Sequence, residues 1–304
     1  MTNILITGST GFIGNKFLGS LDKSKFSIRL LGRSKVSGHK NHICDFEKES
    51  IPQMAFDNVE IVVHLAGYAH SNKNSKEIEK KNMFLNYDVT KKIIEYSINA
   101  NVKKFIYLSS VKSSEYNSNK EINSEEDVYE PKNSYGKSKM KAEMFLRKKC
   151  EKTNMKYIIL KPALVYGPNV KGNLRAMKNA IALGYFPPPP AINNMRSMVH
   201  VDDVVNAIHL VMTKVEAHNE TFIVTDNNAY STRMIYESIC YSINKKPTKL
   251  SIHKVFYEIF SILFPFMKNK IQKIINSEYY SSKKINTIGF EPKKNLNDFN
   301  ISEY

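Results

Sequence analysis

Two hydrophobic rhythms alternate along the first half of the chain. Ile4-Leu5-Ile6 is a short apolar run, followed by a glycine-rich turn and then by Phe12, Ile13, Phe17, Leu18 and Leu21 at helical spacing. Further runs of strand length occur at 27–31, 60–66 (with Ile61-Val62-Val63), 104–109 (with Phe105-Ile106-Tyr107-Leu108) and 157–160. Between them, 78–99 keeps Ile78, Leu85, Val89, Ile93 and Ile94 on one helical face. Strands alternating with helices predict right-handed βαβ crossovers, hence an α/β fold built on a doubly wound parallel sheet covered on both faces. After residue 167 the rhythm loosens. A helix is predicted over 173–183, a stiff extended segment at the four prolines 187–190, a strand over 196–201, a helix over 204–212 and a strand over 221–224. The polar stretch 113–133 reads as a long loop, and there is no internal repeat. The expected organisation is a main domain over 1–167, with returning segments near 196–225, and a smaller C-terminal lobe over 168–304.

Composition narrows the class. With 304 residues, 42% apolar and 24% charged, the chain can bury a sizeable core, which excludes a wholly disordered protein. Cys44, Cys150 and Cys240 are an odd number at spacings that make neither a CxxC pair nor a metal box, so a reducing compartment, no disulfide framework and no metal site are expected. The first residues lack the basic and long apolar regions of an export signal and run straight into a strand, which points to the cytoplasm. The longest apolar stretch, 255–267, contains Glu258 and Pro265 and is shorter than the roughly 20 residues a transmembrane helix needs. No transmembrane segment is expected.

The formal charge of +16 invites a nucleic-acid reading, but only six of the 45 basic residues are arginine and no finger or RNP-type motif is present. Nucleic acid is therefore not an expected partner. From Lys245 onward there are eleven lysines and five acids, an excess that would help an acidic substrate or a membrane surface approach, and that a solvated face explains equally well.

Chemistry enters at the first turn, Thr7-Gly8-Ser9-Thr10-Gly11-Phe12-Ile13-Gly14, three glycines between a strand and a helix. Such a turn lets backbone N–H groups and the helix N-terminus meet a dinucleotide diphosphate, making Gly8, Gly11, Phe12, Ile13 and Gly14 candidate cofactor contacts; a tight turn with no ligand is the plainer alternative. The second strand ends Leu31-Gly32-Arg33-Ser34 with no acidic residue to hold a ribose 2′-hydroxyl. Arg33 would pair with a 2′-phosphate instead, which favours NADP(H) and leaves NAD(H) possible. Tyr135 and Lys139 stand four apart on one helical face, where the ammonium should lower the phenol pKa and fit it for proton exchange at a carbonyl or alcohol. By composition alone a chain with 17 Tyr and this much lysine holds about two such pairs by chance. Order makes the pair specific: glycine turn, then a strand ending in Ser109-Ser110, then Tyr135 and Lys139.

With these motifs in place, the sequence resembles the extended short-chain dehydrogenase/reductase family of nucleotide-sugar epimerases, dehydratases and reductases, over nearly the whole chain. His64-Leu65-Ala66-Gly67 is similar to the strand end that lines the nicotinamide, Asn86 to the family's helix asparagine, and Asp45-Phe46 to its adenine-side pair. The segment from Leu160 to Pro168 resembles the strand and loop after the catalytic helix, with Pro162 against the cofactor and Lys161 in place of the usual arginine. Arg196-Ser-Met-Val-His-Val-Asp-Asp203 resembles the family's Arg-x-x-(Ile/Val)-His-Val-x-Asp segment.

The resemblance implies a Rossmann-like domain with a C-terminal substrate-binding lobe. It implies Ser110, Tyr135 and Lys139 as the catalytic group, Lys139 also holding the nicotinamide ribose. It further implies Leu65, Ala66, Gly67 and Asn86 as cofactor contacts and Arg196 as a diphosphate ligand. His70 and Asn173 are candidate substrate contacts, and Lys273 stands where relatives often carry a second diphosphate arginine. The 4,6-dehydratases carry Asp-Glu after the catalytic serine or threonine; Val111-Lys112 here points away from dehydration. Two reactions at C4 of a UDP-sugar remain. The first choice is reduction of a UDP-4-keto-(6-deoxy)-N-acetylhexosamine in surface-polysaccharide precursor synthesis. The alternative is UDP-hexose or UDP-N-acetylhexosamine 4-epimerisation. A homodimer through two packed helices is possible. A non-catalytic dinucleotide- or RNA-binding relative is the reading from a different class.

Overall fold

In β1 (Thr2–Thr7), Ile4, Leu5 and Ile6 are all fully buried, so the strand needs cover on both faces. The computed structural model, which describes residues 1–69, 75–190, 192–265 and 268–299, supplies it. β1 lies inside a seven-stranded sheet with β2 (Phe26–Gly32), β3 (Lys40–Ile43), β4 (Ile61–His64), β5 (Lys104–Leu108), β6 (Lys156–Pro162) and a late strand, Glu220–Val224, in the order β3-β2-β1-β4-β5-β6 and then the late strand. Every pairing is parallel. The winding reverses between β1 and β4, the position at which open α/β sheets bind their ligands beyond the strand carboxyl ends.

Alternate residues of each strand feed opposite layers. Ile4, Ile6, Val63 and Ile158 join Phe17 of α1 (Phe12–Ser20) and Val204, Ala207 and Ile208 of a later helix, Val201–Thr213. Leu5, Val62, Phe105 and Ile159 join Ile93 and Ile94 of α3 (Val89–Asn99) and Ala142 and Leu146 of α4 (Ser134–Cys150). The predicted helix 78–99 is observed as α2 (Lys76–Met83) and α3 joined by a π-helical turn, Phe84–Asp88.

The second half departs from the predicted pattern in one respect. β7 (Leu164–Tyr166) pairs with β8 (Met198–His200) in a separate two-stranded sheet, so the expected strand at 196–201 is shorter and lies outside the main sheet. The physical reason is that β9 (Glu220–Val224) already occupies the ladder beside β6, with the Ala163 amide donating to the Val224 carbonyl. Arg196 makes isolated bridges to Tyr230 and Glu278 instead. α5 (Gly172–Ala182), α6 (Val201–Thr213), α7 (Thr232–Ser242), α8 (Lys254–Leu263), α9 (Lys268–Ile275) and α10 (Lys283–Asn286) complete the chain. A third apolar cluster joins β7, β8, α5 and α7 through Tyr166, Met198, Leu174, Ile181 and Ile239. Asp203, fully buried on α6, accepts from the Lys293 and Lys294 amides and pins the C-terminal segment to the main domain.

Phe105 is fully buried in β5 of the central sheet, whereas Met144, on the α4 helix that packs over that layer, is exposed. Phe105→Ala is expected to cost about 3–5 kcal/mol in a denaturant titration, and Met144→Ala under about 0.5 kcal/mol. Equal losses for the two would contradict this layer assignment.

Candidate active site

The strand order sets out the candidate residues along one edge of the sheet. At successive carboxyl ends stand Asp45 and Phe46 after β3, Arg33 after β2, Gly8 after β1, Leu65-Ala66-Gly67 after β4, Ser110 after β5 and Pro162 at the end of β6. Gly8 has φ +72°, and a Cβ there would lie 2.6 Å from the Ala66 amide nitrogen. Only glycine permits both the backbone conformation and this approach. Gly11 donates to the Gly8 carbonyl and opens α1, so Gly11, Phe12, Ile13 and Gly14 form the first turn of a helix aimed at the switch point. Arg33 is exposed one residue past β2, Asp45 accepts from the Glu47 amide, and Phe46 packs on the α3–α4 layer.

Two buried polar residues knit these ends together. His64, pushed down to about 3 by burial and next by the nearby Lys139 charge, is neutral and bridges Thr7 (2.6 Å) and Thr90 (2.9 Å). Asn86 sits on the π turn, a local widening often found at functional positions. It accepts from the Tyr68 amide (2.7 Å), donates to the Tyr68 carbonyl (3.0 Å) and reaches Ser138 of α4 (3.1 Å). It thereby fixes the loop after β4 against the helix that carries the tyrosine and lysine.

That helix begins where Asn133 accepts from the Gly136 amide (2.8 Å). Its first turn abuts the turn after Ser110 so closely that a Cβ on Gly136 would come within 2.2 Å of the Lys112 carbonyl. The approach places the Ser110 hydroxyl beside the Tyr135 phenol, near enough to favour its ionised form, while the Lys112 amide donates to the Ser110 hydroxyl oxygen at 3.2 Å. Lys139, one turn on, is buried, donates to the Leu108 carbonyl (3.0 Å) and lies over the Tyr107 ring. Its nitrogen and the Asn86 amide oxygen flank Gly67, at 3.2 and 3.1 Å from where a Cβ would stand. Ser110, Tyr135, Lys139, Gly67 and Asn86 therefore converge. An ammonium with three N–H donors, one of them given to the Leu108 carbonyl, has donors left for ribose hydroxyls, so these residues fit a nicotinamide dinucleotide.

One expectation is overturned. Lys139 was expected to lower the Tyr135 pKa, yet the phenol is pushed up to about 12, by burial first; the adjacent Ser110 hydroxyl lowers it and the Glu143 charge raises it. Lys139 itself is pushed down to about 8 by burial, against the raising effect of Glu143. Its charge is engaged at the Leu108 carbonyl.

Glu143, a further turn along the same face, was missed in the sequence. It is buried, accepts from Ser109 and pairs with Lys161 at 2.9 Å. Glu278, also missed, binds both Lys112 and Arg196. Burial raises its carboxyl, but those cations outweigh that and hold it below the usual carboxylate range. Arg196 is further held by the Lys273 carbonyl (2.6 Å), and Asn173 is exposed on the first turn of α5. His70 lies outside the described residues.

A doubly wound parallel sheet, a glycine turn at its switch point and a serine–tyrosine–lysine group at the ends of β5 and α4 define a short-chain dehydrogenase/reductase enzyme. The profile of the NAD dependent epimerase/dehydratase family matches residues 4–225, and the chain belongs to that family. Its cofactor class is thus a nicotinamide dinucleotide. A UDP-glucose 4-epimerase of Vibrio cholerae is 29% identical over 279 residues, covering 86% of this chain and 82% of that protein. An N-acetyl-α-D-glucosaminyl-diphospho-ditrans,octacis-undecaprenol 4-epimerase of Escherichia coli O157:H7 is 26% identical, covering 80% and 73%. Among solved structures, a UDP-glucose 4-epimerase of Thermotoga maritima with UDP-glucose superposes with a TM-score of 0.79 at 23% identity, covering 98% and 96%. No helix among the described residues is long and apolar enough to cross a membrane.

The Lys139 shift has a testable sign. Its folded pKa lies below the unfolded value of 10.5, so the folded state binds fewer protons between about pH 8 and 10.5 and Lys139 makes stability rise with pH across that window. Lys139→Met should flatten that rise in urea titrations at pH 7.5 to 10. A rise of unchanged steepness would contradict the burial of this ammonium.

Proposed function

We propose that the protein transfers hydride at C4 of a UDP-sugar and acts as a 4-epimerase. The observation that carries this reading is the packing of the first turn of α4, with Tyr135 and buried Lys139, against the turn after Ser110 and against Gly67 at the carboxyl edge of the sheet. The bound nicotinamide supplies the hydride acceptor and donor. The protein's own residues do the rest. Tyr135 exchanges a proton with O4, Ser110 orients that oxygen, and Lys139 holds the ribose.

Arg196 and Lys112, drawn together by Glu278, supply the charge for the diphosphate. The lobe formed mainly by 168–304 would enclose the sugar, with Asn173 and His70 as further contacts. The relation to the Vibrio cholerae epimerase supports inversion. The E. coli relative acts on a sugar diphosphate carried by a polyprenol; the ring chemistry asked of Tyr135 is the same with either carrier.

Arg33 favours a second reading, the net reduction of a UDP-4-keto-(6-deoxy)-N-acetylhexosamine by NADPH. The guanidinium is exposed at the end of β2, where no acid stands to hold a ribose 2′-hydroxyl. Incubation with UDP-sugars and their 4-keto forms separates the two. Product without net loss of reduced-cofactor absorbance supports epimerisation, and stoichiometric loss supports reduction.

Tyr135→Phe should lower kcat by about 10²- to 10⁴-fold while the dissociation constant of the dinucleotide, read by fluorescence titration, stays within a few-fold. An unchanged kcat would remove Tyr135 from the chemistry. For the cofactor, NADP(H) is proposed over NAD(H). Arg33→Asp should reverse the NADPH-to-NADH affinity ratio, and a ratio unaffected by the substitution would defeat the assignment of Arg33 to the 2′-phosphate.

A further inference from the structure

α8 (Lys254–Leu263) turns its apolar side outward. Phe256, Ile262 and Leu263 are 65%, 75% and 66% exposed, and Val255, Ile259 and Phe260 are exposed beside them. At 3.6 residues per turn these six share one arc of about 160°. Tyr257, on the opposite side, is buried and donates to the Pro188 carbonyl at 2.6 Å, which anchors the helix to the proline segment. The remaining arc carries Lys254 and Glu258, paired at 3.3 Å, and Ser261. An ordinary surface helix buries its apolar stripe in its own domain; this one offers it to the surroundings.

Charge indicates what covers it. Over residues 245–273 the chain has seven lysines and one acid, Glu258, so the stretch that carries this helix is strongly cationic, with Lys249 and Lys268 exposed on either side of it. A second copy of the same face would bring like charges together, whereas an anionic lipid surface accepts the aromatic and aliphatic side chains among its acyl chains and the lysines among its phosphates. We propose that α8, with the lysines around it, docks the protein on an anionic lipid bilayer as an interfacial helix that does not span it.

The docking element is joined to the cationic end of the site. In the last turn of α9 (Lys268–Ile275) the Lys273 carbonyl accepts from Arg196, and beyond that helix Glu278 binds Arg196 and Lys112. The proposal concerns α8 alone and stands whether or not the C4 chemistry does.

The test is flotation of the full-length chain with vesicles of phosphatidylcholine alone or of phosphatidylcholine with phosphatidylglycerol, alongside sedimentation without lipid. The wild type should float with the anionic vesicles, stay behind with the neutral ones and be released by high salt. Phe256→Ser with Phe260→Ser should lower the bound fraction by about tenfold or more, and Lys249→Glu with Lys268→Glu should do the same through charge. Circular dichroism matching the wild type confirms that each variant is folded. Failure of the wild type to float, or flotation untouched by the Phe substitutions, overturns the proposal. So does a lipid-free dimer that those substitutions dissociate without any vesicle binding, which would assign the face to a second copy.

Discussion

The chemistry depends on keeping one ammonium, that of Lys139, charged where water is largely excluded. Burial works against it and brings its pKa to about 8. The opposing field comes from Glu143, one turn further along α4. Glu143 cannot close on Lys139 as a simple ion pair, because Ser109 and Lys161 already occupy its oxygens. The lysine therefore keeps a counter-charge without losing its donors, and its nitrogen faces the backbone at Gly67. Tyr135, Lys139 and Glu143 form a ladder at four-residue spacing whose lowest rung is locked to β5 and β6. A ladder held in this way can present a phenol and an ammonium at a fixed separation, which is the condition for preorganised proton transfer.

Topology makes that ladder useful. All strands of the main sheet run parallel, so their carboxyl ends line one edge, and the reversal between β1 and β4 opens a crevice beside the glycine turn. Asn86 on its π turn fastens the loop after β4 to α4, so the two sides of the crevice are tied through a buried amide. The cationic group at Arg196 arrives from the second half of the chain through the bridges to Tyr230 and Glu278, which lie outside the main sheet.

Much of this was legible in the sequence, for physical reasons that also explain the gaps. β1, β4, β5 and β6 are buried on both faces and appear as apolar runs; β3, Lys-Asn-His-Ile, is an edge strand of polar and half-exposed residues and gives no such run. The glycine turn and the Tyr135–Lys139 spacing are local features that survive without coordinates. The direction of the Tyr135 shift is not local. It is set by how deeply the phenol is packed and by Glu143, whose position in a lysine-rich helix gives no sign that it is buried. Glu278 lies 166 residues from Lys112, and only the folded chain brings them together. α8 reads as an apolar stretch in the sequence; that its apolar side faces outward is seen only in the folded chain, where Tyr257 is buried and the apolar residues beside it are exposed.

The most direct test of the central claim is a stopped-flow single turnover of the substrate carrying deuterium at C4. The account predicts a transient reduced-nicotinamide absorbance whose rise is slowed by the label, with deuterium retained in the sugar product. Exchange of the C4 label into solvent with no such transient would contradict it.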